Sequence, residues 1–416
     1  MITPDRLIEK TLEIARKKMV TATADPEKVL APRLGTGGGF TDIFLWDTAF
    51  SVQWAKYFPE EFCVENSLDN FYRFQDSDGF IGRQYLPDGR SLWGKRYGIA
   101  FAPPLLGWAE LELDKMHLFP GRLQKVYPHL LRQFQWNDAN YRRADGLFFT
   151  DMWGCGMDDI PRWDDPADRA TLTGMAIERD IIALDGAEGD KKFASLLKWN
   201  EMHHFDWNRQ LGWCDTSCQM AFSAYVLAEI AARCGDAATA EKMRARHREI
   251  ADCVNQLCFD RKKQFYFDRL GDHLLSRRHV GAFWALISHV ADEKQAAALI
   301  AELKNPDRFG LPCGVPGIAA DDPDFDLEHG YWRGPVWAPT MYMVLRGLRE
   351  YGEEKLAREL ATRFYGAVAS LYESTGTIWE NYLPDRCDIP SKNANRDFCG
   401  WSALAPISIY REFIEA

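Results

Sequence analysis

Apolar residues recur at i, i+3, i+4 and i+7 in stretch after stretch of this chain, and no other pattern in it is as persistent. Segments 4–20, 41–57, 61–75, 120–138, 216–233, 236–258, 292–304, 336–352 and 354–373 each carry the stripe of a helix that buries one face. Strand-like runs are short and scattered, as at Phe80-Ile81-Gly82 and Phe265-Tyr266-Phe267-Asp268. No strand-helix alternation announces a parallel sheet, which speaks against a doubly wound fold. No linker rich in Gly, Ser or Pro divides the 416 residues and no fixed-period repeat is visible, so 1–416 reads as one all-α domain. Thr216-Ser217-Cys218-Gln219 has the spacing of a capping box, and the helix it opens runs to Cys234-Gly235, where glycine permits a left-handed stop.

Charge and cysteine usage narrow the partners. The 50 Lys and Arg face 61 Asp and Glu, a net charge of −11 that opposes binding to nucleic acid or an anionic membrane. No run of 18 apolar residues offers a membrane span. The first twenty residues interleave charge with apolar side chains and lack the continuous apolar stretch of a secretory signal, which reads as a cytoplasmic chain. The ten cysteines form no CxxC pair, so they read as reduced thiols rather than a disulfide framework or a metal site.

The informative segments lie between the helices: 35–48 (GTGGGFTDIFLWDT), 79–85 (GFIGRQY), 152–163 (MWGCGMDDIPRW), 331–339 (YWRGPVWAP), 376–384 (GTIWENYLP) and 398–402 (FCGWS). Solvated loops favour small polar residues, whereas these repeat Trp or Phe beside Gly, Arg and carboxylates, as loops converging on one pocket would. Flat aromatic faces suit the C–H faces of sugar rings, and Asp, Arg and Gln suit the hydroxyls at the ring edge. Glycoside hydrolysis adds a need for two carboxyl groups, one protonated and one ionised. The loops offer Asp42, Asp47, Asp158, Asp159 and Glu380. Asp158 is the candidate acid, since its Gly- and aromatic-flanked context would desolvate it and Asp159 would repel its charge. Glu380, set between Trp379 and Asn381-Tyr382, is the candidate base. Taken singly, Asp158-Asp159-Ile160-Pro161 reads equally well as a surface turn, 331–337 as a loop closing the core and Glu380 as a solvated carboxylate. The coincidence of several such loops carries the reading.

At these residues the chain resembles the α-glycosidases of the trehalase and family 63 clan, which includes mannosylglycerate and glucosylglycerate hydrolases. Gly38-Gly39-Phe40 through Trp46-Asp47-Thr48 resembles the family's GG-F-WDS/T signature, and Gly156 through Trp163 its GMDNSPRW loop. Residues 331–339 are similar to YWRGPVW-P, and Glu380-Asn381-Tyr382 to the ENY element. The likeness spans roughly 35–110, 145–163 and 213–410. It implies an (α/α)6 barrel and an inverting, exo-acting mechanism with Asp158 as general acid and Glu380 as general base. The resemblance also implies that Phe40, Trp46, Asp47, Arg83, Gln84, Trp153, Gly156, Arg162, Trp332, Arg333, Gly334, Trp337, Trp379 and Trp401 hold a small carbohydrate, with no cofactor or metal.

Three departures bear on the substrate. Asp159 stands where the family pattern has Asn. Residues 164–212 lack a counterpart and read as an inserted helical lid or a homo-oligomer contact. Segment 385–397 (DRCDIPSKNANRD) replaces a shorter turn. Two other readings remain: a sugar epimerase on the same barrel, drawing its histidines from His203, His204 or His329, and a carbohydrate-binding protein without catalysis.

Overall fold

The computed structural model describes residues 2–20, 29–37, 39–91, 101–151, 154–162 and 211–415. The inserted segment therefore lies almost wholly outside the described residues.

The chain alternates between helices buried all round and helices with one apolar face. The first kind comprises α2 (Leu45–Ala55), α4 (Leu106–Lys115), α6 (Cys214–Arg233), α8 (Trp284–Ile287, entered through a 3₁₀ turn at Val280–Phe283), α10 (Ala338–Glu350) and α12. The last is a 3₁₀ turn at Trp401–Leu404 running into a π-helical stretch, Ala405–Glu415. Every residue of α2 is buried. Contacts run from α2 to α4, α4 to α6, α6 to α8, α8 to α10, α10 to α12 and α12 back to α2, which closes a ring of six.

The outer helices are α1 (Pro4–Lys18), α3 (Val64–Arg73), α5 (Arg122–Asn140), α7 (Ala237–Leu257), α9 (Glu293–Lys304) and α11 (Glu354–Thr375). α1 packs on α12, α3 on α2, α5 on α4 and α6, α7 on α6, and α11 on α10 and α12. The architecture is an (α/α)6 barrel. Among the described residues, no helix is long and apolar enough to cross a membrane.

Local chemistry sets the helix ends. Thr3 accepts from the Arg6 N–H, Pro4 opens α1, Asp5 sits in its first turn and Arg16, Lys17 and Lys18 in its last. The capping box expected at 216–219 does not form, because α6 already begins at Cys214, whose N–H is taken by the Asp268 carboxylate at 2.8 Å. Asp292 and Gln295 form such a box at the start of α9. Gly235 and Gly376 end α6 and α11 with positive φ.

Three helices escape the sequence pattern, α4, the short α8 and α12. A helix enclosed on all sides has no polar stripe, and α4 even buries Glu110 and Glu112. Phe80-Ile81-Gly82 is irregular; the strand there is Gln84–Tyr85 (β2), paired antiparallel with Ile43–Phe44 (β1).

The inner helices run parallel, so one end of the ring gathers their N-termini and the other their C-termini. At the C-terminal end, Glu112 of α4 meets Lys56 at 3.1 Å and Arg346 of α10 at 3.1 Å, while Glu412 of α12 reaches Lys56 at 3.2 Å. Burial penalises the Glu112 charge, but Arg346 and Lys56 outweigh it and hold its carboxyl well below the usual range. A depressed pKa contributes stability that is present above the unfolded value and lost as pH falls below it. Glu112→Gln should cost about 3 kcal/mol at pH 7, by leaving two cations with one carboxylate between them. The gap between wild type and variant, followed by denaturation, should narrow as pH falls below about 4.3.

Candidate active site

At the opposite end, loops and inner-helix N-termini enclose a cavity of about 320 Å³, at the small end of the range for small-molecule sites. Connections leaving an inner helix for an outer one are short, such as 234–236 and 351–353, whereas those returning inward are long, such as 305–337 and 376–400. The long set carries the motif segments, which is why motifs far apart in sequence reach one place.

The wall is aromatic. Trp46 of α2 lies 6.0 Å from Trp332 and meets Trp401 edge-on at 5.7 Å, and Phe398 packs 5.3 Å from Trp401. Phe40 stands at the rim, 46% exposed, edge-on to Phe44. Gly156 has φ +84°, and a Cβ there would meet the Trp46 ring at 2.6 Å, so backbone lies directly against indole. Only glycine meets both demands.

Among the described residues, three carboxyl groups face this space: Asp47, Asp158 and Glu380. Their surroundings differ. Among the described residues, no hydrogen bond holds the Asp158 side chain. Burial pushes its pKa up to about 7, aided by the charge of Asp159 and opposed by Arg83. Glu380 accepts from the Tyr331 hydroxyl at 2.6 Å on one oxygen and from the Asn395 N–H and amide at 3.1 and 2.7 Å on the other. Burial raises its pKa while these three donors pull it back. Asp47, in the first turn of α2, is raised well above the usual range, by burial first and then by Asp158 and Glu380. Arg83 lines the cavity with its guanidinium on Asp151 at 2.8 Å, and Gln84 with its amide on Asp42 at 2.7 Å.

Of the residues expected to hold substrate, the cavity is lined by Phe40, Trp46, Asp47, Arg83, Gln84, Gly156, Trp332 and Trp401, with Asp158 and Glu380. Trp153 lies outside the described residues. Five others sit elsewhere. Trp337 is wholly buried behind Trp332, stacked at 4.0 Å with 4° between planes, and stiffens that wall. Trp379 turns away to bond Thr375 at 2.9 Å, under the Arg396 guanidinium. Arg333 turns outward to Asp159 at 3.2 Å, and Gly334 packs tightly against Asp326 and Leu327. Arg162 is buried between Asp215 at 2.6 Å and Asp268 at 2.8 Å, with its guanidinium over the Trp213 ring. Tyr331 and Asn395 were not among the expected site residues. Tyr331 had a signal, its place in the 331–339 motif; Asn395, in a loop of ordinary polar composition, had none.

The family model for the mannosylglycerate hydrolase MGH1-like glycoside hydrolase domain matches residues 42–401. This chain belongs to the MGH1-like glycoside hydrolases. A mannosylglycerate hydrolase of Rubrobacter radiotolerans is 28% identical, over 88% of this chain and 90% of its own length. A Borreliella burgdorferi protein is 22% identical over 79% of this chain, and the match spans 61% of that protein. The family 63 mannosylglycerate hydrolase of Thermus thermophilus, solved with Tris and D-glycerate, superposes with a TM-score of 0.72 at 21% identity, covering 98% of this chain and 100% of that one. Neutral trehalase of Saccharomyces cerevisiae gives 0.61 at 16% identity, over 91% and 73%. These likenesses carry the fold, and the (α/α)6 ring of this glycoside hydrolase is the one they share.

Arg162 anchors the Asp158 loop of the hydrolase through buried charge, so removing the cation strands two carboxylates. Arg162→Met should lower stability by about 3–5 kcal/mol, read from chemical denaturation, whereas an exposed arginine would cost little.

Proposed function

We propose that the chain is an inverting, exo-acting α-glycosidase acting on a small α-mannoside or α-glucoside. The observation that carries this reading is the contrast between its two principal carboxyl groups. Among the described residues no hydrogen bond holds Asp158, and burial pushes its pKa up to about 7, as suits a general acid, while Glu380 is held by three donors that favour its ionised form. Asp158 donates its proton to the glycosidic oxygen, and Glu380 removes one from a water attacking the anomeric carbon on the other face. That mechanism expects carboxyl groups about 6.5–9.5 Å apart. Trp46 and Trp332 offer flat faces to the ring, and Asp47 offers its carboxyl to a hydroxyl.

The size of the cavity suits a single sugar ring with a small aglycone. The activity printed for the relatives, mannosylglycerate hydrolysis, makes a glycosylglycerate the first substrate to test. The epimerase reading has less support. No described histidine lines the cavity; His329 is exposed and pairs with Asp326, and His279 is buried against Asp268.

Asp158→Asn should lower kcat/KM on an unactivated α-glycoside by about 10²–10⁴-fold, and much less on an aryl glycoside whose leaving group needs no proton. Glu380→Gln should abolish both reactions, and near wild-type turnover by either variant sinks the assignment. The kcat/KM of the wild type should fall above pH about 7 as Asp158 ionises. It should fall again at low pH as Glu380 is protonated, with that limb above the ordinary glutamate value of about 4.3.

A further inference from the structure

We propose that Asp159 is a positioning residue for the reaction: it clasps the loop that carries Tyr331 and through the Tyr331 hydroxyl fixes Glu380 relative to Asp158. The inference rests on the roles proposed above for Asp158 and Glu380.

Asp159 follows Asp158 directly but faces away from the cavity. One of its oxygens accepts from the Trp332 N–H. The other accepts from the Tyr331 N–H at 3.1 Å and from the Arg333 guanidinium at 3.2 Å. Three donors converge on one carboxylate, two of them rigid backbone groups, so this contact sets the height of the 331–333 segment against the acid loop. From that segment the Tyr331 hydroxyl donates to Glu380 at 2.6 Å, and its neighbour Trp332 lines the cavity. The backbone N–H of Trp332 and its indole therefore share one anchor. On its own side, Arg162 fixes the acid loop to the N-terminus of α6. A continuous path runs from that buried ion pair through Asp159 and Tyr331 to Glu380, joining carboxyl groups 222 positions apart in sequence.

An ionised carboxylate suits this place. It is an acceptor at both oxygens, whereas an amide offers one acceptor oxygen and presents its N–H₂ to further donors. The aspartate makes the clasp tighter, and its charge also favours the protonated form of Asp158.

A double-mutant cycle on purified full-length protein, with kcat/KM read on an α-glycoside, separates positioning from a merely structural or electrostatic role. Tyr331→Phe removes only the hydroxyl and should cost about 10- to 100-fold, the scale of a hydrogen bond to a charged group. It should also move the acid limb of the pH profile upward, since Glu380 loses a donor that favours its charge. Around Glu380 the groups concerned are Tyr331, Asn395, Asp47 and Asp158. Asp159→Ala should move that limb in the same direction, and the double variant should be no worse than the poorer single. Asp159→Asn, which keeps one acceptor oxygen, should recover part of the loss and serves where the alanine variant does not fold. Losses that multiply, or an acid limb unmoved in both Asp159 variants, overturn the inference. Glu380→Gln run alongside tells the two failures apart. If it is inactive while the cycle multiplies, the clasp alone is wrong; if it turns over, the reading of the site is wrong.

Discussion

A guanidinium with no solvent exposure, held between two carboxylates, is the constraint on which the site depends. Arg162 reaches Asp215 in the first turn of α6 and Asp268 in the loop beyond α7; Asp268 in turn accepts from the Cys214 N–H and lies 3.3 Å from His279. Ion pairs this deep gain little net stability over an apolar substitute, but they tolerate few alternative arrangements. Four residues upstream stands Asp158, on a loop whose other support is the Gly156 backbone lying on Trp46. Among the described residues no hydrogen bond holds Asp158, and burial pushes its pKa up to about 7.

The ring of parallel inner helices divides the remaining work. Their C-terminal ends close on a network of Lys56, Glu112, Arg346 and Glu412, where like and unlike charges balance away from solvent. Their N-terminal ends are spread by long loops and lined with indole rings. The same barrel thus has one end closed by paired charge and one end left open for a ligand. Partial positive charge at helix N-termini favours ionised groups there. The raised pKa of Asp47 in the first turn of α2 therefore runs against the helix end, and burial is its leading cause.

Much of this was legible in the sequence, for identifiable reasons. The outer helices carry a one-sided stripe and read directly; α4, whose first eight residues are all buried, shows none, and α8 is too short to show one. The motif loops announced their shared destination through Trp, Gly and carboxylate in unusual company. Direction within a motif was not legible. Trp332 faces in while Arg333 turns out, and Glu380 faces in while Trp379 turns away. Arg162 looked like a substrate contact because an arginine beside Pro161 and Trp163 carries no mark of the two partners, Asp215 and Asp268, that claim it from elsewhere in the chain. Asn395 was invisible because its role arises only where 395–396 is brought against Trp379 and Glu380 by the fold.

In the mechanism proposed, water activated by Glu380 attacks the anomeric carbon directly while Asp158 protonates the departing oxygen. Proton NMR of a fresh hydrolysate of an α-linked substrate tests it most directly, before mutarotation mixes the anomers. Direct displacement predicts that the β-anomer of the released sugar appears first. An initial α-anomer would mean two displacements through a covalent intermediate and would contradict that mechanism.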